Sequence, residues 1–119
     1  MNDKQVNIHI GNAQDMGARF VGAWQAAERG EAVARDHVTF LSLEAFVSAM
    51  SPKRLALIQY LRTAGAMSVR KLAGEIGRDY KSVHGDVAML VAAGLVAREA
   101  KDQVAVHWDH VHADMRLAA

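Results

Sequence analysis

Two short apolar patterns that meet at Gly77 constrain the fold of this chain more than any other feature. Ala73, Gly77 and Val83 occupy relative positions one, five and eleven across them. A small residue at the first position lets a following helix cross closely, and the glycine supplies the positive φ of a tight turn. Val83 anchors the second helix on the first. The spacing predicts a helix-turn-helix, in which the second helix is offered to the DNA major groove.

A further helix is expected before this pair. Ser51 and Pro52 form a cap and first-turn signal, because proline at the first helical position sacrifices no hydrogen bond. This helix is expected to end at Gly65. Its inward residues are expected to be Leu55, Ile58 and Leu61. Ser68 then caps the first helix of the pair, where Gly74 leaves further room beside Ala73.

The second helix of the pair is expected over residues 80–93, with Asp79 as its cap and Gly94 as its end. The segments LVAREA and VAVHW flank KDQ at 101–103 and predict a β-hairpin, although this turn lacks glycine. The tail HVHADMRL alternates apolar and polar residues and predicts a further strand. The expected fold is therefore α+β and mainly α, with a winged helix-turn-helix over residues 51–119.

The first fifty residues are expected to form an N-terminal strand-helix-strand extension. VNIHIG and HVTFL have the composition and alternation of strands, and Ser42 caps a short helix, LEAFVSAM. Between the strands, Asn12 caps a predicted helix that ends near Gly30. Its apolar stripe consists of Met16, Phe20, Val21, Ala23, Trp24 and Ala27. We expect residues 1–50 to contribute to homodimerisation.

Charge is distributed unevenly along the chain. Net charge is only +1, but residues 51–98 hold eight lysines and arginines against three acidic residues, a balance of +5. Residues 1–50 hold four against six, a balance of −2. A basic segment on a nearly neutral chain suggests a local anion-binding face. A solvated surface rich in lysine and arginine is the alternative interpretation.

The predicted second helix begins with polar residues that suit DNA. We expect Arg78 and Lys81 to contact the phosphate backbone, where the helix N-terminus adds partial positive charge. Ser82 and His84 are donors for base edges or phosphates, and Tyr80 either donates to a phosphate or packs against the domain. Gly85 costs on the order of 1 kcal/mol relative to alanine in a helix, which close approach of DNA or of a neighbouring helix would justify.

Two other elements are expected to touch the DNA backbone. Ser68, Arg70 and Lys71 lie in the first turn of the preceding helix, where phosphates typically bind. The hairpin carries Arg98, Lys101 and Gln103, which could touch the backbone or the minor groove as a wing. Asp86 complicates this face, because a carboxylate repels phosphates unless it turns away or accepts from a cytosine.

From Ser51 to Trp108 the chain resembles winged-helix regulators of the ArsR and MarR type, through SVRKLAGEIGRDYKSVHGDVAMLVAAGLV and the hairpin after it. More narrowly, WQAAERGE, SPKRLALIQYLR and GRDYKSVHGDV resemble a group of short prokaryotic winged-helix regulators, often proposed as antitoxins encoded beside a small toxin. The resemblance implies a dimeric transcriptional regulator, with a cognate toxin as a further partner. Asp86 departs from the pattern, which prefers an apolar residue there; Val87 takes over that anchoring.

Three other functions compete with DNA binding as interpretations of the sequence. His107, Asp109, His110, His112 and Asp114 are possible zinc or nickel ligands. Strand alternation, however, separates His107 and Asp109 from His110 and His112, so no metal site is expected. No glycine-rich phosphate loop, nucleophile elbow or paired catalytic carboxylates occur, so neither catalysis nor a cofactor is expected. A protein-interaction module, with Phe20, Trp24 and Phe46 at a partner surface rather than in the core, is the remaining alternative.

Composition indicates a location as well. The chain has no cysteine, which excludes disulfides and thiolate metal sites and fits a reducing cytoplasm. The start lacks a signal-peptide core, and the longest uncharged stretch, residues 87–97, is too short to span a bilayer. We therefore expect a cytoplasmic protein, with no membrane association, that binds double-stranded DNA as a homodimeric repressor. The antitoxin role and metal-responsive sensing are alternatives.

Overall fold

The computed structural model describes residues 4–11, 37–115 and 117. This part of the chain is an α+β protein with four helices and two three-stranded sheets, and about half of its residues are helical. The helix predicted to begin at Asn12 lies outside the described residues, and so do Phe20 and Trp24.

The first sheet is parallel and joins the two ends of the chain. Strand β1 (Gln5–Ile10) lies between β2 (His37–Phe40) and β6 (His110–Met115). In the register, Ile8 of β1 lies beside Val38 of β2 and Ala113 of β6. All three predicted strands are confirmed, but the sequence did not indicate that the tail strand pairs with the first one.

The second sheet is antiparallel and belongs to a helical unit. After α1 (Leu43–Ala49), the order along the chain is α2 (Pro52–Ala64), β3 (Met67–Ser68), α3 (Val69–Ile76), α4 (Tyr80–Ala92), β4 (Ala97–Glu99) and β5 (Gln103–Ala105). The three strands align in the order β3-β5-β4. The predicted hairpin is confirmed, and β3 extends it by one short strand.

Serine side chains begin three of the helices, as predicted. Ser42, Ser51 and Ser68 each accept a hydrogen bond from a backbone N–H three residues further on, at 3.1, 3.4 and 3.1 Å. Each bond satisfies one of the N–H groups that the first helical turn leaves without a partner. The starting points of α1, α2 and α3 are therefore determined by local sequence.

A single hydrophobic core connects the two sheets. It contains Val6, Ile8 and Ile10 of β1 together with apolar residues from α2, α3, α4 and the antiparallel sheet. The prediction that Leu55 faces inward is wrong, because this side chain is 40% exposed. The buried stripe of α2 consists of Leu57, Ile58 and Leu61. Leu55 lies about 60° around the helix from Ile58, on the side away from Leu57 and Leu61, and so falls at the margin of this stripe.

The segment before β6 attaches the parallel sheet to α2. The guanidinium of Arg62 donates to the backbone oxygen of Trp108 at 3.0 Å and to the carboxylate of Asp109. The same carboxylate accepts from the backbone N–H of Lys4 at 3.0 Å, and the N–H of Asp109 donates to the carbonyl of Lys4 at 2.7 Å. The Lys4 N–H and the Arg62 guanidinium lower the pKa of Asp109, since both stabilise its charged form.

Candidate nucleic-acid interface

The corner between α3 and α4 has the predicted geometry. Gly77 adopts φ 67 and ψ 35, the left-handed conformation that glycine occupies without steric cost. The N–H of Arg78 donates to the carbonyl of Ala73 at 3.0 Å and closes the end of α3. Ala73 and Val83 are both buried in the core. The role predicted for Gly74 is wrong: an added Cβ there would meet nothing within 4 Å, so Ala73 alone provides the close approach.

The first two turns of α4 are exposed on one side and anchored on the other. Val83, Val87 and Leu90 form the buried side. Asp79 caps the helix, as predicted, by accepting from the backbone N–H of Ser82 at 2.7 Å. That hydrogen bond lowers the pKa of Asp79. The exposed residues are those predicted for DNA contact on this helix: Tyr80, Lys81, Ser82, His84 and Gly85.

Asp86 turns away from this exposed surface and joins α4 to α2. Its carboxylate accepts from Nε of Arg54 at 3.1 Å and from Nη2 of Arg78 at 2.7 Å. Nη1 of Arg54 also donates to the carbonyl of Ser48 at 2.7 Å. Burial raises the pKa of Asp86, but the hydrogen bonds from Arg78 and Arg54 together outweigh it, and the pKa lies below its ordinary value. The carboxylate is therefore neutralised within the protein.

Arg78 belongs to this ion-pair cluster and does not have the free guanidinium that the predicted phosphate contact requires. Its guanidinium is bound to Asp86, and its Nη1 is buried without a hydrogen-bond partner among the described residues. Arg54 was not singled out from the sequence at all. The signal that could have indicated it was Asp86 itself, because a carboxylate at a position that prefers an apolar residue requires a buried cationic partner.

An aromatic cluster links α3 to the exposed end of α4. The guanidinium carbon of Arg70 lies 4.4 Å from the centroid of the Tyr80 ring, within the range of a cation–π interaction. The rings of Tyr80 and His84 are 5.7 Å apart. Tyr80 is 41% exposed, so its ring packs in part against these neighbours and remains in part accessible from outside. Arg70, Tyr80 and His84 are thus brought together on one surface.

The predicted wing residues lie on the β4–β5 hairpin. Arg98 and Lys101 are exposed, and Gln103 is half-buried. The turn places Lys101 and Asp102 at φ 63 and 60, and the N–H of Gln103 donates to the carbonyl of Ala100 at 3.4 Å. Two successive residues with positive φ are typical of a type I′ turn, which matches the twist of a hairpin but usually employs glycine.

The histidine-rich tail offers no metal site in the part of the chain that the structure describes. No group of three or more histidine and acidic side chains there is arranged to hold an ion. His107 contacts Glu99 across the hairpin, whereas Asp109 is occupied by Arg62 and Lys4. Among the described helices, none is long and apolar enough to cross a membrane.

Comparison with known proteins gives one family. A family model, HVO_A0114, matches residues 49–113, which is more than half of the chain. The match starts at the last residue of α1 and continues into β6, so it includes the α3–α4 corner, the hairpin and the Asp109 junction. No curated protein and no solved structure matches the chain. The chain belongs to the HVO_A0114 family.

Proposed function

We propose that this protein is a sequence-specific transcriptional regulator that binds double-stranded DNA through a winged helix-turn-helix. In this proposal α2, α3 and α4 form the helical part, α4 is the recognition helix, and the β4–β5 hairpin is the wing. The observation that carries it is the two-sided nature of α4, whose buried residues anchor it while its exposed N-terminal turns are polar. A helix inserted into the major groove needs both properties.

The distribution of ion pairs supports this assignment. Among the basic residues of 51–98, Arg54, Arg62 and Arg78 are bound to carboxylates of the protein. Within the described residues, no salt bridge engages the cations on α3, the front of α4 and the hairpin. These are Arg70, Lys71, Lys81, Arg98 and Lys101. Cations that no carboxylate of the protein neutralises can release counterions from DNA, which is the main source of affinity for the phosphate backbone.

The same geometry divides the candidate residues by role. Lys71, Lys81 and the hairpin cations would bind phosphates and set the register on the duplex. Tyr80, Ser82 and His84 lie where α4 would meet base edges. Arg78 is a positioning residue in this proposal, because Asp86 holds its guanidinium. A homodimer would place two copies of α4 in successive major grooves, about 10 base pairs apart or a multiple of that. Repression would follow from occlusion of a promoter, including that of its own operon.

The proposal is tested by fluorescence anisotropy with duplex DNA from the region upstream of the coding sequence. We expect tight binding that weakens steeply with salt. Lys81→Ala should weaken binding to all sequences and reduce the salt slope by about one. Lys53→Ala is the matched control, because Lys53 is an exposed lysine on α2, a helix to which the proposal assigns no DNA contact. Equal effects of the two substitutions, or binding that is insensitive to salt, would contradict the proposed interface.

Specificity is tested at His84. If its imidazole contacts a base, His84→Ala should relax the preference at one base pair of the site, by about 1–3 kcal/mol, and leave non-specific binding nearly unchanged. The measurement is competition among duplexes that differ at single positions. A uniform loss across all duplexes would instead assign His84 to the phosphate backbone.

A further inference from the structure

We propose that strand β6 pairs in antiparallel fashion with β6 of a second copy of this chain, so that two parallel sheets join into one. The proposal deepens the homodimer of the proposed function by assigning its surface. It is argued from the parallel sheet alone, and its experiments contain no DNA, so failure of either proposal can be distinguished from failure of the other.

The first observation is an open sheet edge. In the described structure β6 pairs with β1 on one side and forms the edge of the sheet on the other. All six of its residues are exposed. Edge strands of stable monomers are commonly shortened or blocked by lysine, proline or a bulge. The sequence HVHADM contains no lysine or proline, and its register with β1 is continuous over six residues.

The second observation is an apolar face that extends past the core. Val111, Ala113 and Met115 lie beside Val6, Ile8 and Ile10 in the register and hence on the same face of the sheet. The three β1 residues are buried, whereas Val111 and Met115 are 42% and 43% exposed. Val111 also lines a groove that contains Leu55, the α2 residue that lies outside the core. A second molecule along β6 would cover this face.

The third observation is that β6 is complementary to itself. A two-fold axis that lies midway between the two copies of Ala113 and perpendicular to the sheet reverses the strand and produces antiparallel pairing. This register puts Val111 opposite Met115 and His112 opposite Asp114, and the symmetry repeats both pairs. Apolar residues then meet on one face, and imidazole meets carboxylate on the other, which are favourable cross-strand pairs. The small side chain of Ala113 permits close approach at the axis.

The assembly is tested by sedimentation equilibrium of the full chain over a range of micromolar concentrations. We expect a species of twice the 12.9 kDa chain mass. Val111→Lys should shift it to the monomer mass, because the substitution places a charge opposite Met115. Val47→Lys is the matched control, since Val47 is also a valine and is 59% exposed on α1. A monomeric wild type, or equal behaviour of the two variants, would overturn the proposal.

Cross-linking tests the register and does not depend on how Val111→Lys folds. Because the chain contains no cysteine, a single introduced thiol reports one position. Ala113→Cys should form a disulfide-linked dimer on mild oxidation, since its β-carbons would face each other across the axis. Ala66→Cys, at an exposed turn before the antiparallel sheet, should remain monomeric under the same conditions. Equal cross-linking at both positions would overturn the pairing, and linkage of His112→Cys instead of Ala113→Cys would overturn the register.

Discussion

At the scale of single residues, Gly85 is the position where the stability of the fold and the proposed binding of DNA favour different side chains. A glycine inside a helix costs on the order of 1 kcal/mol relative to alanine. A Cβ at Gly85 would meet nothing within 4 Å, so no neighbouring helix in the described structure requires its absence. Of the two explanations predicted from the sequence, close approach of DNA is the one that this geometry favours.

Gly85→Ala is therefore expected to stabilise the protein and to weaken DNA binding. The gain in the free energy of unfolding should be up to about 1 kcal/mol, measured by urea denaturation. Gly74→Ala is the matched control, because Gly74 is also helical and its Cβ would also meet nothing. Both variants should gain stability, but only Gly85→Ala should lose affinity for the duplex. Undiminished binding by Gly85→Ala would mean that DNA does not approach this position.

The hairpin turn offers a second test at the residue scale. Lys101 and Asp102 both have positive φ, which is unfavourable for residues with a β-carbon. Glycine is the preferred second residue of a type I′ turn. We expect Asp102→Gly to raise the free energy of unfolding by about 1 kcal/mol and Asp102→Ala to lower it, since alanine lacks the side-chain oxygen that helps aspartate adopt this conformation. Thermal or urea denaturation of the three proteins provides the measurement. Equal stabilities would imply a different turn in solution.

At the scale of elements, Asp86 determines how α4 is held against α2. Two guanidinium groups, one from α2 and one from the turn before α4, converge on a carboxylate in the second turn of α4. Charge-assisted hydrogen bonds of this kind restrict orientation more than apolar contacts do. The cluster consequently fixes the direction in which the exposed front of α4 points.

Asp86→Asn is expected to lower the free energy of unfolding by about 2 kcal/mol, the scale of hydrogen bonds to charged groups. The folded-state pKa of Asp86 is lowered, so its contribution is complete above the unfolded value of about 3.9 and is lost as pH falls through the folded value. The variant should therefore be less stable at neutral pH and should lack that part of the acid-induced loss.

The control for this prediction is Asp79→Asn. The pKa of Asp79 is also lowered, but asparagine caps a helix about as well as aspartate. We expect little change at neutral pH from this substitution, measured by urea denaturation between acidic and neutral pH. A loss equal to that of Asp86→Asn would show that the two arginines contribute no more than a helix cap does.

At the scale of the whole molecule, the junction at Asp109 holds the parallel sheet against the helical unit. Lys4 and Asp109 are 105 positions apart in the sequence, yet where β1 and β6 begin the Lys4 N–H donates to the Asp109 carboxylate and the Asp109 N–H donates to the Lys4 carbonyl. Arg62 connects this point to α2, and the indole N–H of Trp108 donates to the carbonyl of Gly94 at 3.3 Å. Gly94 has φ +84, and a β-carbon added at this position would lie 3.4 Å from Val38 of β2. The parallel sheet therefore meets the helical unit through a few polar contacts beside the shared core.

Arg62→Ala is expected to loosen this junction without unfolding the helical unit. Amide hydrogen exchange should accelerate at Lys4, Asp109 and His110, while the amides of α4 keep their protection. Arg98→Ala is the matched control, because Arg98 is an exposed arginine with no salt bridge among the described residues. Acceleration throughout the chain in Arg62→Ala would mean that the junction and the core open as one unit.

The sequence by itself determined where most elements begin and end. The caps at Ser42, Ser51, Ser68 and Asp79 and the corner at Gly77 were predicted and are present. Each of these signals acts between residues no more than four or five positions apart, so the local chain contains all the information. The exposed front of α4 could be predicted for the same reason, because periodicity alone separates its two sides.

Tertiary structure decided which of these elements meet and which residues they hold. Periodicity suggested Leu55 for the core, but the direction from which other elements cover α2 selected Leu57. Arg78 was predicted to contact phosphate. In the structure its guanidinium binds the carboxylate of Asp86, eight positions away, which also binds Arg54. The tail strand was predicted, but not its parallel pairing with β1. Many strands could pair with a given strand edge, and many cations could pair with a given carboxylate, because their hydrogen-bonding groups are alike. Only the packing of the folded chain brings one of them within hydrogen-bonding distance.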